Sequence, residues 1–180
     1  MKIVYTPIHG TGTRLMFDSL KRWGFENVIH VPEQDVQSGD FPTVVSPNPE
    51  NPEAMAMGVA KAKEVGASIV LASDPDADRI GLVVRDKQGE YQLVNGNQLV
   101  MLLLYYIITQ NVEKKLLNGN EYCVKTIVTT ETVKRIADAN GIKCFDCYTG
   151  FKWIADVMRN METTGRYIGG GEESGLPHRT

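Results

Sequence analysis

Short runs of β-branched and aromatic residues alternate along the chain with longer segments in which apolar residues recur every three or four positions. The short runs predict β-strands, and the longer spacing predicts amphipathic helices. Strand candidates are Lys2–Tyr5, Asn27–Val31, Ser68–Ala72, Ile80–Arg85, Tyr122–Thr129 and Ile142–Cys147. Helix candidates carry Met16/Leu20/Trp23, Val133/Ile136/Asn140 and Ile154/Met158/Met161, and a further one begins at Pro52 and ends before Gly66. The alternation predicts an α/β protein of βαβ-type units, with mixed, largely parallel sheets flanked by helices.

A turn signal at Asp86–Glu90 divides the chain near its middle. We therefore expect two consecutive units, residues 1–88 and residues 89–180, each with its own strands and helices. Leu99–Ile108 is apolar on all sides, which predicts a helix buried in the interior or between the units. This run is about half as long as a bilayer span, so no membrane role is expected.

The composition of the 180-residue chain narrows the possible functions. Nineteen basic and 22 acidic residues give a net charge of −3, so nucleic-acid binding has no electrostatic support. A strand-like stretch begins almost at Met1, and no signal peptide is expected. Three cysteines, an odd number, argue against a secreted disulfide scaffold. These features predict a cytoplasmic protein that binds small molecules.

The strongest chemical signal is the segment Asp-Pro-Asp-Ala-Asp-Arg at residues 74–79, directly after a buried strand candidate. Open α/β sheets bind ligands at the carboxyl ends of their strands. Three carboxylates this close repel each other unless a cation is present, and Mg²⁺ prefers oxygen ligands. The sequence therefore predicts that Asp74, Asp76 and Asp78 bind Mg²⁺. Arg79 offers a planar donor group for a phosphate or another substrate oxygen.

Other interpretations of the acidic segment are possible. An EF-hand loop is excluded, because Arg79 and Arg85 stand where glycine and glutamate are required. A phosphatase of the haloacid-dehalogenase type would use Asp74 as its nucleophile, although its motif continues with Thr or Val where Asp78 stands. A solvated acidic turn without a ligand is the third alternative.

Other loops also contain candidate functional residues. Gly169–Gly175 combines glycines with Glu172, Glu173 and Ser174, and predicts a flexible loop that binds sugar hydroxyl groups or forms a plain surface turn. Lys152 follows the last strand candidate and is either a proton-transfer group or a solvated lysine. His9, in the loop after the first strand, is either an active-site residue or a structural histidine.

Five segments resemble, in the same order, motifs of the α-D-phosphohexomutase family, the phosphoglucomutases and phosphomannomutases. These are Thr6–Gly12, Pro47–Glu50, Asp74–Arg79, Thr149–Lys152 and Gly171–Gly175. The resemblance implies that Asp74, Asp76 and Asp78 bind Mg²⁺ and that Arg79 faces the substrate. It also implies that Gly171, Glu172 and Ser174 bind the sugar, and that Lys152 and His9 belong to the catalytic site. The family reaction moves a phosphoryl group between two positions of a sugar phosphate, through an enzyme phosphoserine and a sugar bisphosphate.

The chain also departs from the family pattern. Family members carry four domains, and this chain resembles the second, metal-binding domain (residues 1–88) and the third, sugar-binding domain (residues 89–180), the latter shortened at its end. Domains 1 and 4, with the phosphoserine loop and a phosphate-binding loop, are missing, and neither Ser73 nor Ser174 lies in the phosphoserine motif. We therefore expect a central fragment of a mutase that is inactive by itself. The alternative is a non-catalytic module that binds Mg²⁺ and sugar phosphates.

Overall fold

The computed structural model describes residues 1–173 and divides the chain into two compact units, Met1–Asn95 and a second that begins at Gly96. The turn signal near the middle is present, since the Gly89 N–H donates to the Asp86 carbonyl at 3.1 Å. However, this turn joins two antiparallel strands of the first sheet and does not separate the two units. A tight turn is found in hairpins as well as at domain boundaries, so the signal alone did not distinguish them. The first unit therefore extends beyond the expected limit at residue 88.

The first unit contains a five-stranded mixed sheet. In chain order its elements are β1 (Ile3–Thr6), a 3₁₀ turn (Thr11–Arg14), α1 (Met16–Arg22), β2 (Val28–His30), α2 (Pro32–Asp35), α3 (Pro52–Val65), β3 (Ile69–Ser73), β4 (Ile80–Arg85) and β5 (Tyr91–Val94). The spatial order is β2-β1-β3-β4-β5. β1 runs parallel to β2 and β3, whereas β4 is antiparallel to both β3 and β5.

The core of the first unit lies between this sheet and α3. Ala54 and Met55 of α3 pack with Val4 and Val70 of the central strands. On β1, Tyr5 contacts Phe17 of α1 edge to face, with ring centroids 5.1 Å apart. All four residues of β1 are buried, as expected of a central parallel strand.

The second unit contains a three-stranded parallel sheet in the order β7-β6-β8. Its elements are α4 (Gly96–Glu113), β6 (Glu121–Thr126), α5 (Thr132–Ala139), β7 (Lys143–Cys147), α6 (Phe151–Met161) and β8 (Arg166–Gly171). Successive residues of β6 face opposite sides: Cys123 packs with Leu104 of α4 and Val133 of α5, while Val124 packs with Ile154 of α6. Helices therefore cover both faces, and the predicted fold class is confirmed.

The helix predicted around Leu99–Ile108 is present as α4, but the prediction that it is buried on all sides was wrong. Leu104 and Ile108, one turn apart, are buried, whereas neighbouring apolar side chains are about half exposed. The exposed residues are Leu102, Leu103, Tyr105 and Tyr106. A single stripe of the helix faces β8 and α5, so the other side remains open. Among residues 1–173, no helix has the length and hydropathy that a bilayer crossing requires.

Three glycines of the segment predicted as a flexible loop, Gly169–Gly171, are instead the end of β8, so the prediction was wrong for these residues. Gly169–Gly171 pair with Cys123–Lys125 of β6. A Cβ on Gly170 would lie 2.8 Å from the Tyr167 hydroxyl oxygen and closer still to the Val124 carbonyl. Close approach of neighbouring groups, and not chain flexibility, therefore requires glycine here.

Candidate metal and sugar sites

The acidic loop connects β3 to β4 in the first unit, at the carboxyl end of β3. Asp74 is 6% exposed, whereas Asp76 and Asp78 are exposed. One carboxylate oxygen from each lies within 4.8 Å of the others. The structure thus brings the three predicted metal ligands together.

Backbone geometry holds Asp74 in this arrangement. The Ala77 N–H donates to the Asp74 carbonyl at 3.1 Å, with Ala77 at a left-handed φ of 63°. The Arg79 N–H donates to Asp74 Oδ1 at 3.0 Å, and the Arg79 Nε lies 3.6 Å from Oδ2. The loop is therefore closed upon the buried carboxylate.

The electrostatics of the Asp74, Asp76 and Asp78 carboxylates favour the binding of a cation. Burial, together with the nearby Asp76 and Asp78 carboxylates, raises the pKa of Asp74 to about 6, despite the hydrogen bond from the Arg79 N–H. A hard divalent ion would stabilise the ionised form of a buried carboxylate that two other carboxylates adjoin. The donor set, three carboxylates without sulfur or imidazole, is suited to Mg²⁺.

The same geometry disfavours the phosphatase interpretation. A nucleophilic carboxylate needs an accessible oxygen, and Asp74 is buried with one oxygen accepting the Arg79 N–H. Ser73, one residue earlier, is buried too, and its hydroxyl lies 2.8 Å from the Tyr5 hydroxyl. Neither side chain is presented for attack on a phosphate.

The loop after β1 braces the acidic loop. The backbone N–H and the hydroxyl of Thr11 both donate to the Pro75 carbonyl, at 2.8 and 3.1 Å. A Cβ on Gly10 would lie 2.6 Å from that carbonyl oxygen, so only glycine permits this approach. This brace could not be predicted from the sequence, because residues 11 and 75 are far apart in the chain.

His9 lies beside this brace, with a positive φ of 63°, and is 3% exposed. Its Nδ1 is 2.8 Å from the Val36 carbonyl oxygen and its Nε2 is 2.8 Å from the Thr43 hydroxyl. A carbonyl only accepts, so Nδ1 carries a proton, and in the Nδ1-protonated tautomer Nε2 accepts the Thr43 hydroxyl. These contacts favour the structural interpretation of His9 over a proton-transfer role.

In the second unit, Glu172 follows β8 directly, and its Oε2 accepts the Gly150 N–H at 2.7 Å. Gly150 precedes α6, whose second residue is the exposed Lys152. Glu172 therefore follows β8, and Lys152 lies in the first turn of α6 after β7, the strand on the other side of β6. Gly171 is buried, and a Cβ there would meet the Val100 side chain, so packing explains this glycine. Ser174, also predicted to bind the sugar, lies outside the described residues.

A buried lysine anchors this edge of the second sheet. Lys125 Nζ donates to Asp146 at 2.7 Å, to Glu131 at 2.8 Å and to the Thr129 carbonyl at 3.2 Å. The Thr129 hydroxyl in turn accepts the Glu173 N–H at 3.2 Å. The role of Lys125 was not predicted, although its place two residues after Cys123, and so on the same face of β6, was the available signal.

Comparison with known proteins identifies two family domains. Residues 1–89 match the alpha/beta/alpha domain II, and residues 95–176 the alpha/beta/alpha domain III, of phosphoglucomutase/phosphomannomutase. A phosphoglucomutase of Staphylococcus saprophyticus is 33% identical over 161 residues, which are 89% of this chain and 29% of that protein. A probable phosphoribomutase of Schizosaccharomyces pombe is 36% identical over 179 residues, or 98% of this chain and 30% of that protein. The chain thus spans about 30% of the length of these curated relatives.

Solved structures give the same result. A phosphoglucomutase/phosphomannomutase family protein of Burkholderia thailandensis matches with a TM-score of 0.74 and 25% identity, over 97% of this chain and 34% of that one. An N-acetylphosphoglucosamine mutase of Aspergillus fumigatus, in complex with GlcNAc-6P and magnesium, matches in fold with a TM-score of 0.64 and 16% identity, over 97% of this chain and 35% of that one. With both units matched by family domains in their family order, the chain belongs to the phosphoglucomutase/phosphomannomutase family.

Proposed function

We propose that this chain supplies the metal-binding and sugar-binding domains of a Mg²⁺-dependent phosphosugar mutase. Such an enzyme moves a phosphoryl group between two positions of a sugar phosphate, through a phosphoserine and a sugar bisphosphate. The observation that carries the proposal is the convergence of the Asp74, Asp76 and Asp78 carboxylates within 4.8 Å on a family domain. Relatives named phosphoglucomutase and phosphoribomutase support a sugar phosphate as the substrate.

In the first unit, Asp74, Asp76 and Asp78 would hold the ion, each through a carboxylate oxygen. When bound, Mg²⁺ supplies positive charge that stabilises a transferring phosphoryl group. The Arg79 Nε, 3.6 Å from Asp74 and 4.0 Å from Asp78, keeps its guanidinium beside the same cluster. Arg79 can therefore orient a phosphate oxygen with its remaining N–H donors. The magnesium in the Aspergillus fumigatus mutase is consistent with this assignment.

In the second unit, Glu172 would bind sugar hydroxyl groups and Lys152 would pair with a phosphate or move a proton. Gly150 fixes one oxygen of Glu172, and a carboxylate has further lone pairs for hydroxyl donors. Ser174 would add a hydroxyl to the same sugar contacts. Ser73 is buried against Tyr5, so the proposal assigns the phosphoserine to another domain of the complete enzyme.

Metal binding by the chain tests this proposal. Mn²⁺, which shares the oxygen preference of Mg²⁺, can be titrated by electron paramagnetic resonance. We expect saturable binding that Asp76→Asn weakens at least about tenfold, because a ligand is lost. Asp18→Asn is the matched control, since Asp18 is an exposed residue of α1 and the charge change is the same. Equal affinities of the wild type and Asp76→Asn would contradict the proposal.

Activity assays distinguish a mutase from a phosphatase and from a non-catalytic binding module. By itself the chain is expected neither to interconvert sugar phosphates, followed by ³¹P NMR, nor to hydrolyse a chromogenic phosphate ester. Hydrolysis that Asp74→Asn abolishes would instead identify a phosphatase. Within a four-domain enzyme that contains this chain, loss of turnover on Asp76→Asn distinguishes a mutase from a non-catalytic binding module.

A further inference from the structure

Three aromatic side chains are exposed where β7 ends and α6 begins. Tyr148 is 66% exposed, Phe151 is 55% exposed and Trp153 is 37% exposed. The Tyr148 and Trp153 rings contact each other edge to face, with centroids 5.5 Å apart. This contact limits the freedom of two large rings that are otherwise open to solvent, so the pair is a preformed aromatic surface.

Polar groups flank this pair on the same edge of the sheet. The Gly150 N–H, between Tyr148 and Trp153 in the chain, donates to Glu172 at 2.7 Å. The Lys152 ammonium lies 5.1 Å from the centroid of the Trp153 ring, in cation–π contact. The segment 148–153 therefore carries an aromatic surface and the Lys152 ammonium, and its Gly150 N–H binds the carboxylate of Glu172.

This combination matches the chemistry of a sugar phosphate. A sugar ring presents C–H groups on its faces and hydroxyl donors around its rim, and the phosphate carries negative charge. Aromatic side chains bind an apolar face while polar partners fix orientation at the rim. An inorganic anion would use Lys152 alone, and an apolar ligand would leave Glu172 without a new partner.

We propose that Tyr148 and Trp153 form a stacking subsite for the sugar ring, with Glu172 accepting its hydroxyl groups and Lys152 pairing with its phosphate. This inference rests on the proposed function and adds to it the residues that recognise the ring. It assigns selection of the sugar ring to the aromatic pair and selection of the phosphate to Lys152. Tyr148 and Trp153 are then specificity-determining residues.

Tryptophan fluorescence tests the subsite directly. The chain has two tryptophans, and Trp23→Phe leaves Trp153 as the reporter, because Trp23 is 82% exposed in the other unit. We expect glucose 1-phosphate and ribose 1-phosphate to change the emission saturably and far more than inorganic phosphate, which can pair with Lys152 but has no ring to stack. In this background Tyr148→Ala should weaken binding by about three- to tenfold, the effect of a lost aromatic contact.

Tyr106→Ala is the matched control, since Tyr106 is an equally exposed tyrosine of α4 outside the subsite. Circular dichroism verifies that each variant is folded, and calorimetry measures binding independently of fluorescence. Calorimetric binding that leaves Trp153 emission unchanged and that Tyr148→Ala does not weaken would overturn the stacking subsite and leave the proposed function intact. Absence of any calorimetric binding would overturn both sugar binding by this unit and the subsite that rests on it.

Discussion

The Lys125 ammonium lies 2.7 Å from Asp146 Oδ1, although the lysine side chain is 1% exposed. Glu131 provides a second carboxylate at 2.8 Å. Burial by itself would lower the pKa of Lys125, but the two carboxylates outweigh it and raise the pKa. Lys125 is therefore a buried cation at neutral pH, and its ion pairs join β6, β7 and the start of α5.

Removing a partner of Lys125 should destabilise the second unit more than removing Lys125 itself. Asp146→Asn leaves the buried ammonium with one carboxylate, Glu131, and we expect a loss of about 3 kcal/mol in the free energy of unfolding. Lys125→Met leaves Asp146 and Glu131, which are 38% and 64% exposed and can be hydrated, so its loss should be smaller. Urea unfolding followed by Trp153 fluorescence measures both. A greater loss for Lys125→Met would contradict this account.

Glu121 makes the second unit sensitive to acid. Its carboxylate accepts the N–H groups of Asn118 and Gly119, each at 2.9 Å, and the Arg166 guanidinium at 3.0 Å. Burial would raise the pKa of Glu121, but these hydrogen bonds outweigh it and hold the pKa below its ordinary 4.5. A lowered pKa in the folded state means that the ionised form is stabilised by folding.

Because the pKa of Glu121 is lowered in the folded state, its contribution to stability is lost only in acid. The contribution of Glu121 is present above pH 4.5, the ordinary value, and is lost as the pH falls through the lower pKa of the folded state. In Glu121→Gln, the urea midpoint should be lower near pH 7 and should decline less between pH 5 and about pH 3. Glu162→Gln, at an exposed glutamate, is the control. A parallel acid decline in Glu121→Gln and the wild type would exclude Glu121 as its source.

Most strands could be predicted from the sequence, and the six candidates correspond to β1, β2, β3, β4, β6 and β7. β5 was missed because Tyr91–Val94 is short and half exposed at the edge of its sheet. β8 was missed because it ends in three glycines, which disfavour strands locally. In β8, pairing with β6 outweighs the low strand propensity of glycine.

Some contacts of the candidate sites could likewise be predicted from the sequence, and others could not. Asp74, Asp76 and Asp78 lie within five consecutive residues, so their convergence could be predicted from spacing and from the position of the buried strand before them. The contacts of Glu172 with Gly150 and of Lys125 with Asp146 join residues more than 20 positions apart. Such contacts depend on strand order, which one sequence does not specify.

Gly170 tests whether packing or flexibility requires glycine in β8. A Cβ there would collide with the Val124 carbonyl and lie 2.8 Å from the Tyr167 hydroxyl. Gly170→Ala should therefore destabilise the second unit by about 1–3 kcal/mol. Gly39→Ala is the control, because no atom lies within 4 Å of a Cβ built at Gly39. A stable Gly170→Ala variant, with a Tm equal to that of Gly39→Ala, would show that close packing does not require this glycine.

His9 belongs to a directional network of hydrogen bonds in the first unit. The Gln34 amide nitrogen donates to the Thr43 hydroxyl at 3.1 Å, which leaves the Thr43 proton for His9 Nε2. Gln34 Oε1 accepts the Thr6 hydroxyl at 2.7 Å, so the network continues to β1. With the His9 proton on Nδ1, the Val36 carbonyl accepts it and Nε2 accepts the Thr43 hydroxyl, so every donor of this network has an acceptor.

We therefore expect ¹⁵N NMR to show the Nδ1-protonated tautomer of His9 at neutral pH. His9→Ala should lower stability by about 1–3 kcal/mol, since Thr43 and the Val36 carbonyl lose a buried partner. It should also weaken Mn²⁺ binding, because the loop that carries His9 braces Pro75 of the acidic loop through Thr11. A ring protonated on Nε2 alone would contradict this network, because Nδ1 would then face the Val36 carbonyl oxygen without a proton to donate.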